Sequence, residues 1–285
     1  MTCLLYGGAF VGARRHLSLA VFLVALVGGE TSALSRDGVT RPVTPRSADH
    51  PLPEIWSGTR YASETAQALQ AARGENPANG VVADGMLLWR RVAGETEKSC
   101  ASCHGDASFS MRSVGTRYPR FFRPWKKPIT LEGRINRCRT AHMRAEAWPR
   151  GSKSLLAMTA YVRQQSRRQP VRPQNIGRAM SSFQRGRQAF NQRIGLLNMA
   201  CSSCHGAYAG KRLGAQTLSQ GQSNGFPAWR LGLNGISSLH QQFQRCNIRV
   251  GAEPRDLGAD EYVDLELYLA WRGQGLRVEA PAVRD

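Results

Sequence analysis

One short pattern occurs twice: Cys100-Ala-Ser-Cys103-His104 and Cys201-Ser-Ser-Cys204-His205. Each places two thiols and an imidazole on a single turn, so the chain around it must fold about whatever that turn holds. The pattern sits inside a longer repeat. Gly85 and Trp89 stand 15 and 11 residues before Cys100, and Gly186 and Phe190 stand 15 and 11 before Cys201. Tyr118-Pro119 stand 20 and 19 residues before a lone Cys138, as Phe226-Pro227 do before Cys246. Leu131 matches Leu239, and Arg137 matches Arg245. An amphipathic stretch closes each half, about 153–164 with Tyr161 and about 260–271 with Tyr268. Each half therefore reads helix, Cys-x-x-Cys-His, long loop, lone cysteine, helix. An ordered repeat of this kind means two copies of one structural unit.

Cys-x-x-Cys-His is the order used for covalent haem attachment. The thiols add across the haem vinyl groups, and the histidine supplies an axial iron ligand. Cys100, Cys103, Cys201 and Cys204 are thus the candidate attachment residues, and His104 and His205 the candidate proximal ligands. Two covalently bound haem c groups are expected. A structural zinc site and a redox dithiol are the alternatives. Neither accounts for a histidine after each pair. The helices of each unit resemble those of the cytochrome c fold, which cross and pack over the haem edge. The expected architecture is mainly α: two cytochrome c-like domains in tandem, each with its haem, behind an N-terminal helical extension.

The N-terminus indicates export. Arg14-Arg15 precede an apolar run from Leu17 to Gly29, and Thr31-Ser32-Ala33 offers a small-residue cleavage site. This is the pattern of a cleavable signal peptide over 1–33. The run is too short for a permanent span, so a periplasmic protein without a stable membrane anchor is expected. The twin arginines leave open which export route is used. Residues 34–80 form the extension, whose first part, 34–53, is rich in Pro, Arg, Ser and Asp and is expected to be flexible. The first domain covers 81–165, a polar linker with two prolines 166–176, the second domain 177–274, and an irregular tail 275–285. The net charge of +19 calls for anionic partners. Export makes nucleic acid a poor candidate among them.

The second axial ligand is the informative question, since methionine is the usual partner of histidine in electron-transfer cytochromes c. No methionine follows Met199. The second half offers His240, Cys246 and Lys211; the first offers Met111, Met143, Met158, His142 and Cys138. Only the two cysteines fall at matching repeat positions. That favours His104 with Cys138 and His205 with Cys246 as iron ligands. A Cys138–Cys246 disulfide joining the domains is the alternative. A thiolate ligand lowers the reduction potential and suits sulfur chemistry better than simple electron relay.

These features together resemble the SoxA family, the dihaem subunits of periplasmic SoxAX thiosulfate-oxidising complexes. The resemblance covers nearly all of the mature chain. It includes Ser57-Gly58 through Glu64-Thr65, Asn76-Pro77, Gly85 with Leu88-Trp89, and both haem motifs. It also includes Asn136-Arg137-Cys138-Arg139 and Gln244-Arg245-Cys246-Asn247. It implies a heterodimer with a SoxX-like monohaem cytochrome c. It further implies the oxidative joining of thiosulfate to a cysteine of a SoxYZ-like sulfur carrier, with electrons leaving to a cytochrome c acceptor. Cys246 would be the sulfur centre as well as a ligand, found as a persulfide and forming a thiosulfonate with substrate. The family pattern has an arginine one turn before that cysteine, where this chain has Gln242. Arg245 and Arg249 are therefore candidate anion-binding residues beside Gln242, with Arg230 adding to the steering charge. Two other functions remain. A dihaem thiosulfate dehydrogenase forming tetrathionate would need no carrier, and a non-enzymatic shuttle would show His/Met ligation.

Overall fold

The computed structural model describes residues 41–72, 74–173 and 177–285. The signal-peptide expectation lies outside them. They fall within one compact unit. Ser63 accepts a hydrogen bond from the Ala66 amide and so starts α1 (Glu64–Ala71). The extension is less helical than its pattern suggested, with one turn at Gly58–Tyr61 before α1.

The first half then runs α2 (Asn79–Arg90), α3 (Cys100–His104) and α4 (Ala107–Ser110). A hairpin of β1 (Arg120–Phe122) and β2 (Lys127–Ile129) leads into α5 (Leu131–Cys138). Thr130 caps α5, which runs on as a π-helical turn over Arg139–Met143. Ser152 caps α6 (Lys153–Gln164). The second half repeats this order. α7 (Met180–Asn191) precedes a turn that opens at Cys201 and continues as π-helix over Ser203–Ala207. A short ribbon follows, β3 (Arg212–Leu213) with β4 (Gln216–Thr217). Next come the hairpin of β5 (Ala228–Arg230) and β6 (Gly235–Ser237), α8 (Leu239–Arg249) and α9 (Asp260–Arg272). Ser238 and Gln241 form a reciprocal capping box on α8.

Each half is built on one helix crossing, and a glycine sets its closeness. A Cβ on Gly85 would lie 2.3 Å from the Ala157 carbonyl oxygen of α6. A Cβ on Gly186 would lie 2.0 Å from the Asp264 carbonyl oxygen of α9. In both pairs the next neighbour is the tyrosine singled out by the repeat, Tyr161 or Tyr268. The crossings hold two apolar clusters. One gathers Trp89, Tyr118, Ile129, Leu131, Met158 and Val162, the other Phe183, Phe190, Leu239, Phe243, Tyr262 and Tyr268. The mainly helical, twofold architecture is the one the pattern implied.

The peripheral segments differ from expectation. The tail is not irregular throughout: β7 (Ala282–Arg284) adds to β5 in parallel, making β6-β5-β7 a three-stranded sheet. The segment read as a linker is pinned to that tail. Arg168 and Val171 amides donate to the Val278 and Leu276 carbonyls, and Val171, Val278 and Ala280 bury one another. The polar N-terminal stretch, from residue 41 on, is also tied down. Val43 bridges Ile55, and His50 Nε2 bonds the Arg272 carbonyl at 3.0 Å. Polar composition removes apolar driving force but leaves backbone groups that long-range partners can take up. No helix among the described residues is long and apolar enough to cross a membrane.

Candidate haem and sulfur site

α3 forms because Ser99 and Ser102 exchange hydrogen bonds as a capping box. That turn points Cys100, Cys103 and His104 at a cavity of about 700 Å³. Its walls are mostly apolar: Trp89, Phe122, Ile129, Leu131, Met158 and Val162 are among them. Cys138, at the end of α5, lines the same cavity as the motif. So do Met111, Met143 and His142, so all the first-half ligand candidates reach one cavity. His104 is held below the usual histidine range by burial, then by the charges of Arg134 and His142.

The second cavity is about 210 Å³ and is lined by Cys201, Cys204, His205 and Cys246, with Phe190, Phe226, Phe243, Leu265 and Leu269 among its apolar residues. Here the candidate ligands separate. His240 is turned away toward Glu266 at 3.0 Å and the Gly258 amide at 3.0 Å. Lys211 is outside the cavity wall. Cys246 alone of the three reaches His205. The cysteines Cys100, Cys103, Cys138, Cys201, Cys204 and Cys246 are free thiols, so Cys138 and Cys246 are not joined. They stand instead in separate cavities.

The His205 ring is fixed from two sides. Its Nδ1–H donates to the Ser219 carbonyl at 2.8 Å, which leaves Nε2 as the nitrogen available to a metal. Gly221, at φ +73°, lets the loop pass so close that a Cβ there would lie 2.9 Å from the ring. Arg272 donates to the His205 and Gln220 carbonyls at 3.2 and 3.3 Å and lies over the Phe190 ring. Arg272, Ser219 and Gly221 were not flagged by the sequence. Their role depends on where the 206–222 loop returns, which no local pattern records.

Around Cys246 the chemistry is polar. Gln242, one turn earlier on α8, donates its amide to Cys246 Sγ at 3.4 Å. Arg245 bonds Gln242 Oε1 at 3.0 Å and Ser237 Oγ at 2.7 Å. It thus stands behind Gln242, while Arg249 and Gln242 themselves line the cavity. Burial raises the Cys246 thiol, but hydrogen bonding with His205 and Gln242, together with the Arg249 charge, outweighs it. The net result lies below the ordinary thiol value. Cys201, at the start of the attachment motif, is instead pushed up to about 11 by burial first and by Cys246 second.

The donor set fits haem c in both halves. Two thiols and an imidazole share one turn, apolar residues wall the cavity, and a further sulfur lines it. A chain made of two such units is a c-type cytochrome, with haem held covalently. Comparison with known proteins narrows this further. Residues 84–171 match the family model described as SoxA/TsdA, cytochrome c domain. An L-cysteine S-thiosulfotransferase subunit SoxA from Pseudaminobacter salicylatoxidans is 39% identical over 87% of this chain and 86% of its own. The SoxA subunit from Rhodovulum sulfidophilum is 36% identical over 99% of this chain and 96% of its own. The crystal structure of SoxXA from P. pantotrophus superposes with a TM-score of 0.82 at 33% identity, covering 87% of this chain and 94% of that one. The chain belongs to the SoxA family of L-cysteine S-thiosulfotransferase subunits.

Proposed function

We propose that the protein is the periplasmic dihaem subunit that joins thiosulfate to a cysteine of a SoxYZ-like carrier, in a heterodimer with a SoxX-like monohaem cytochrome c. The balanced change is one carrier thiol plus one thiosulfate giving the S-thiosulfonate, with one proton and two electrons released. Covalent haem c, when bound, supplies the one-electron redox centre, and a cytochrome c acceptor takes the electrons onward.

The chain's own residues divide the remaining work. Cys100 and Cys103 attach one haem and Cys201 and Cys204 the second, giving two modules over 81–165 and 177–274. His104 with Cys138, and His205 with Cys246, are the iron ligands. Cys246 is also the sulfur nucleophile, and Gln242 orients its sulfur. Arg249 faces incoming anion, while Arg245 holds Gln242 in place. The supporting observation is the Gln242–Cys246–His205 arrangement in a cavity that arginines enter. It favours carrier chemistry over a plain shuttle, because the sulfur is held with polar donors rather than packed in apolar surroundings.

The test is the mass of the carrier after incubation with thiosulfate and an oxidised cytochrome. Cys246→Ala should abolish the adduct while both haems stay attached. Cys138→Ala should change one haem's spectrum and leave substantial activity. A Cys246→Ala protein that still modifies the carrier at the normal rate would reduce Cys246 to a ligand. Tetrathionate formation without any carrier would instead identify a thiosulfate dehydrogenase.

A further inference from the structure

The two hairpins occupy equivalent places, yet differ at one position. The third residue of the first strand lies 16 residues before the lone cysteine in each half: Phe122 on β1 and Arg230 on β5. Phe122 packs edge-on against Trp125 at 5.1 Å, with Arg134 over its ring. Arg230 has no such packing. It lines the second cavity, close to the charges of Arg245, Arg284 and Asp285.

The second difference is β7. The first hairpin has two strands only, whereas β7 joins β5 in parallel and sets Arg284 directly opposite Arg230. The Arg284 guanidinium is seated with care. It donates to Glu279 Oε2 at 2.9 Å and to the Val283 carbonyl at 2.8 Å. Gly58 and Gly225 leave it room, since a Cβ on either would lie 3.2 or 2.7 Å from its nitrogens. Arg284 also lines the cavity that holds Cys246, Gln242 and Arg249. The nearby acid Asp285 is occupied by the Ser63 amide and hydroxyl.

Glu279 compensates the charge of Arg284, so Arg230 beside it is the guanidinium of this half-buried wall that an incoming anion would pair with. Arg230 is pushed down to about 10, by burial first and then by Arg245 and Arg284, against the smaller pull of Cys246 and Asp285. We propose that Arg230 and Arg284 form a two-guanidinium subsite that receives the oxyanion end of thiosulfate and leaves its outer sulfur toward Cys246. This rests on the thiosulfate reading above and supplies the anion contact that glutamine at position 242 does not. Guanidinium forks match sulfur oxyanions bidentately.

The experiment uses the full haem-loaded protein with its cytochrome partner. Sodium thiosulfate is titrated in by calorimetry, and KM and kcat for carrier conjugation are measured in parallel. Arg230→Gln should weaken thiosulfate binding by about tenfold or more. The same loss should appear in KM rather than kcat, with haem content and spectrum unchanged. Arg230→Lys should restore part of the affinity, as a charge without the fork. Arg284→Gln should act alike. Because it strands the buried Glu279, the double change Arg284→Gln with Glu279→Gln is measured beside it. Unchanged thiosulfate affinity in Arg230→Gln overturns the subsite. So does a shifted haem spectrum with unchanged thiosulfate affinity, which would mark these arginines as partners of the haem carboxylates. Normal thiosulfate binding with no carrier adduct in the unaltered protein would sink the conjugation reading and leave the subsite standing.

Discussion

The Gln242 side-chain amide donates to Cys246 Sγ across 3.4 Å, and its oxygen accepts from Arg245 at 3.0 Å. The glutamine cannot turn its amide over without facing its oxygen to the sulfur and its NH2 to the guanidinium. Arg245 therefore fixes the donor that Cys246 sees. This relationship uses the i, i+3 and i+4 spacing of α8 and costs little extra ordering, since Arg245 is also anchored on Ser237.

Gln242→Leu should slow carrier conjugation by about tenfold, the scale of losing one hydrogen bond to a charged acceptor. Thioether attachment should be untouched. Arg245→Gln should give a smaller loss of the same kind, because the amide can then invert. The readout is single-turnover formation of the carrier adduct by mass. Rates equal to the unaltered protein in Gln242→Leu would show that the amide does not orient the sulfur.

Haem stoichiometry gives a second expectation. Two intact attachment turns face two cavities. The exported chain should carry the mass of two haems. Cys201→Ala with Cys204→Ala should leave one, and Cys100→Ala with Cys103→Ala should leave the other. Zinc without iron in metal analysis would refute both attachments.

The sequence carried the parts of this molecule that repeat. The attachment turns, the crossing glycines Gly85 and Gly186, the aromatic-proline pairs and the lone cysteines all follow from fixed offsets between two copies. The parts that occur once were not legible. Arg284 reaches the Cys246 cavity only because β7 pairs with a strand more than fifty residues earlier, and a three-residue strand is too short to show alternation. His240 looked like a ligand by residue type, but its ring is taken by Glu266 and the Gly258 amide, partners that no local spacing announces. Arg245, an anion-contact candidate by residue type, is hydrogen-bonded to Gln242 and Ser237, partners that residue type alone does not show.

Helix crossing gives a third prediction. Gly186→Ala places a methyl group 2.0 Å from the Asp264 carbonyl, so α7 and α9 must separate. The cost should be about 1–3 kcal/mol in urea unfolding of the haem-loaded protein, the usual range for overpacking. Gly80→Ala serves as the control, since nothing lies within 4 Å of its added carbon. It should be neutral or stabilising by up to about 1 kcal/mol, through helix propensity alone. Equal effects at the two sites would mean that the crossing is not close-packed around Gly186.

The last prediction concerns the junction between the halves. Glu132 of α5 is largely buried beside Glu266 of α9, with His240 nearby and Arg150 at 4.0 Å. Burial raises its carboxyl first and the Glu266 charge raises it further, while His240 and Arg150 pull the other way. The native value therefore lies above that of an unfolded glutamate, about 4.3. A group that binds its proton more tightly when folded adds stability below the unfolded value, and this is lost as pH rises toward the native one. Unfolding free energy should fall with rising pH across that window. Glu132→Gln keeps the shape and removes the charge, so it should flatten the slope there and make the protein more stable than the parent at neutral pH. Urea unfolding at closely spaced pH values measures both. His240, Glu266, Arg150 and the buried Arg163 are the other charged or titratable groups facing this junction. Glu266→Gln should therefore reduce the slope as well, by removing the neighbouring charge. If Glu132→Gln leaves the slope as it was, the acid contributes no pH dependence and the junction is held by Arg150 and packing alone.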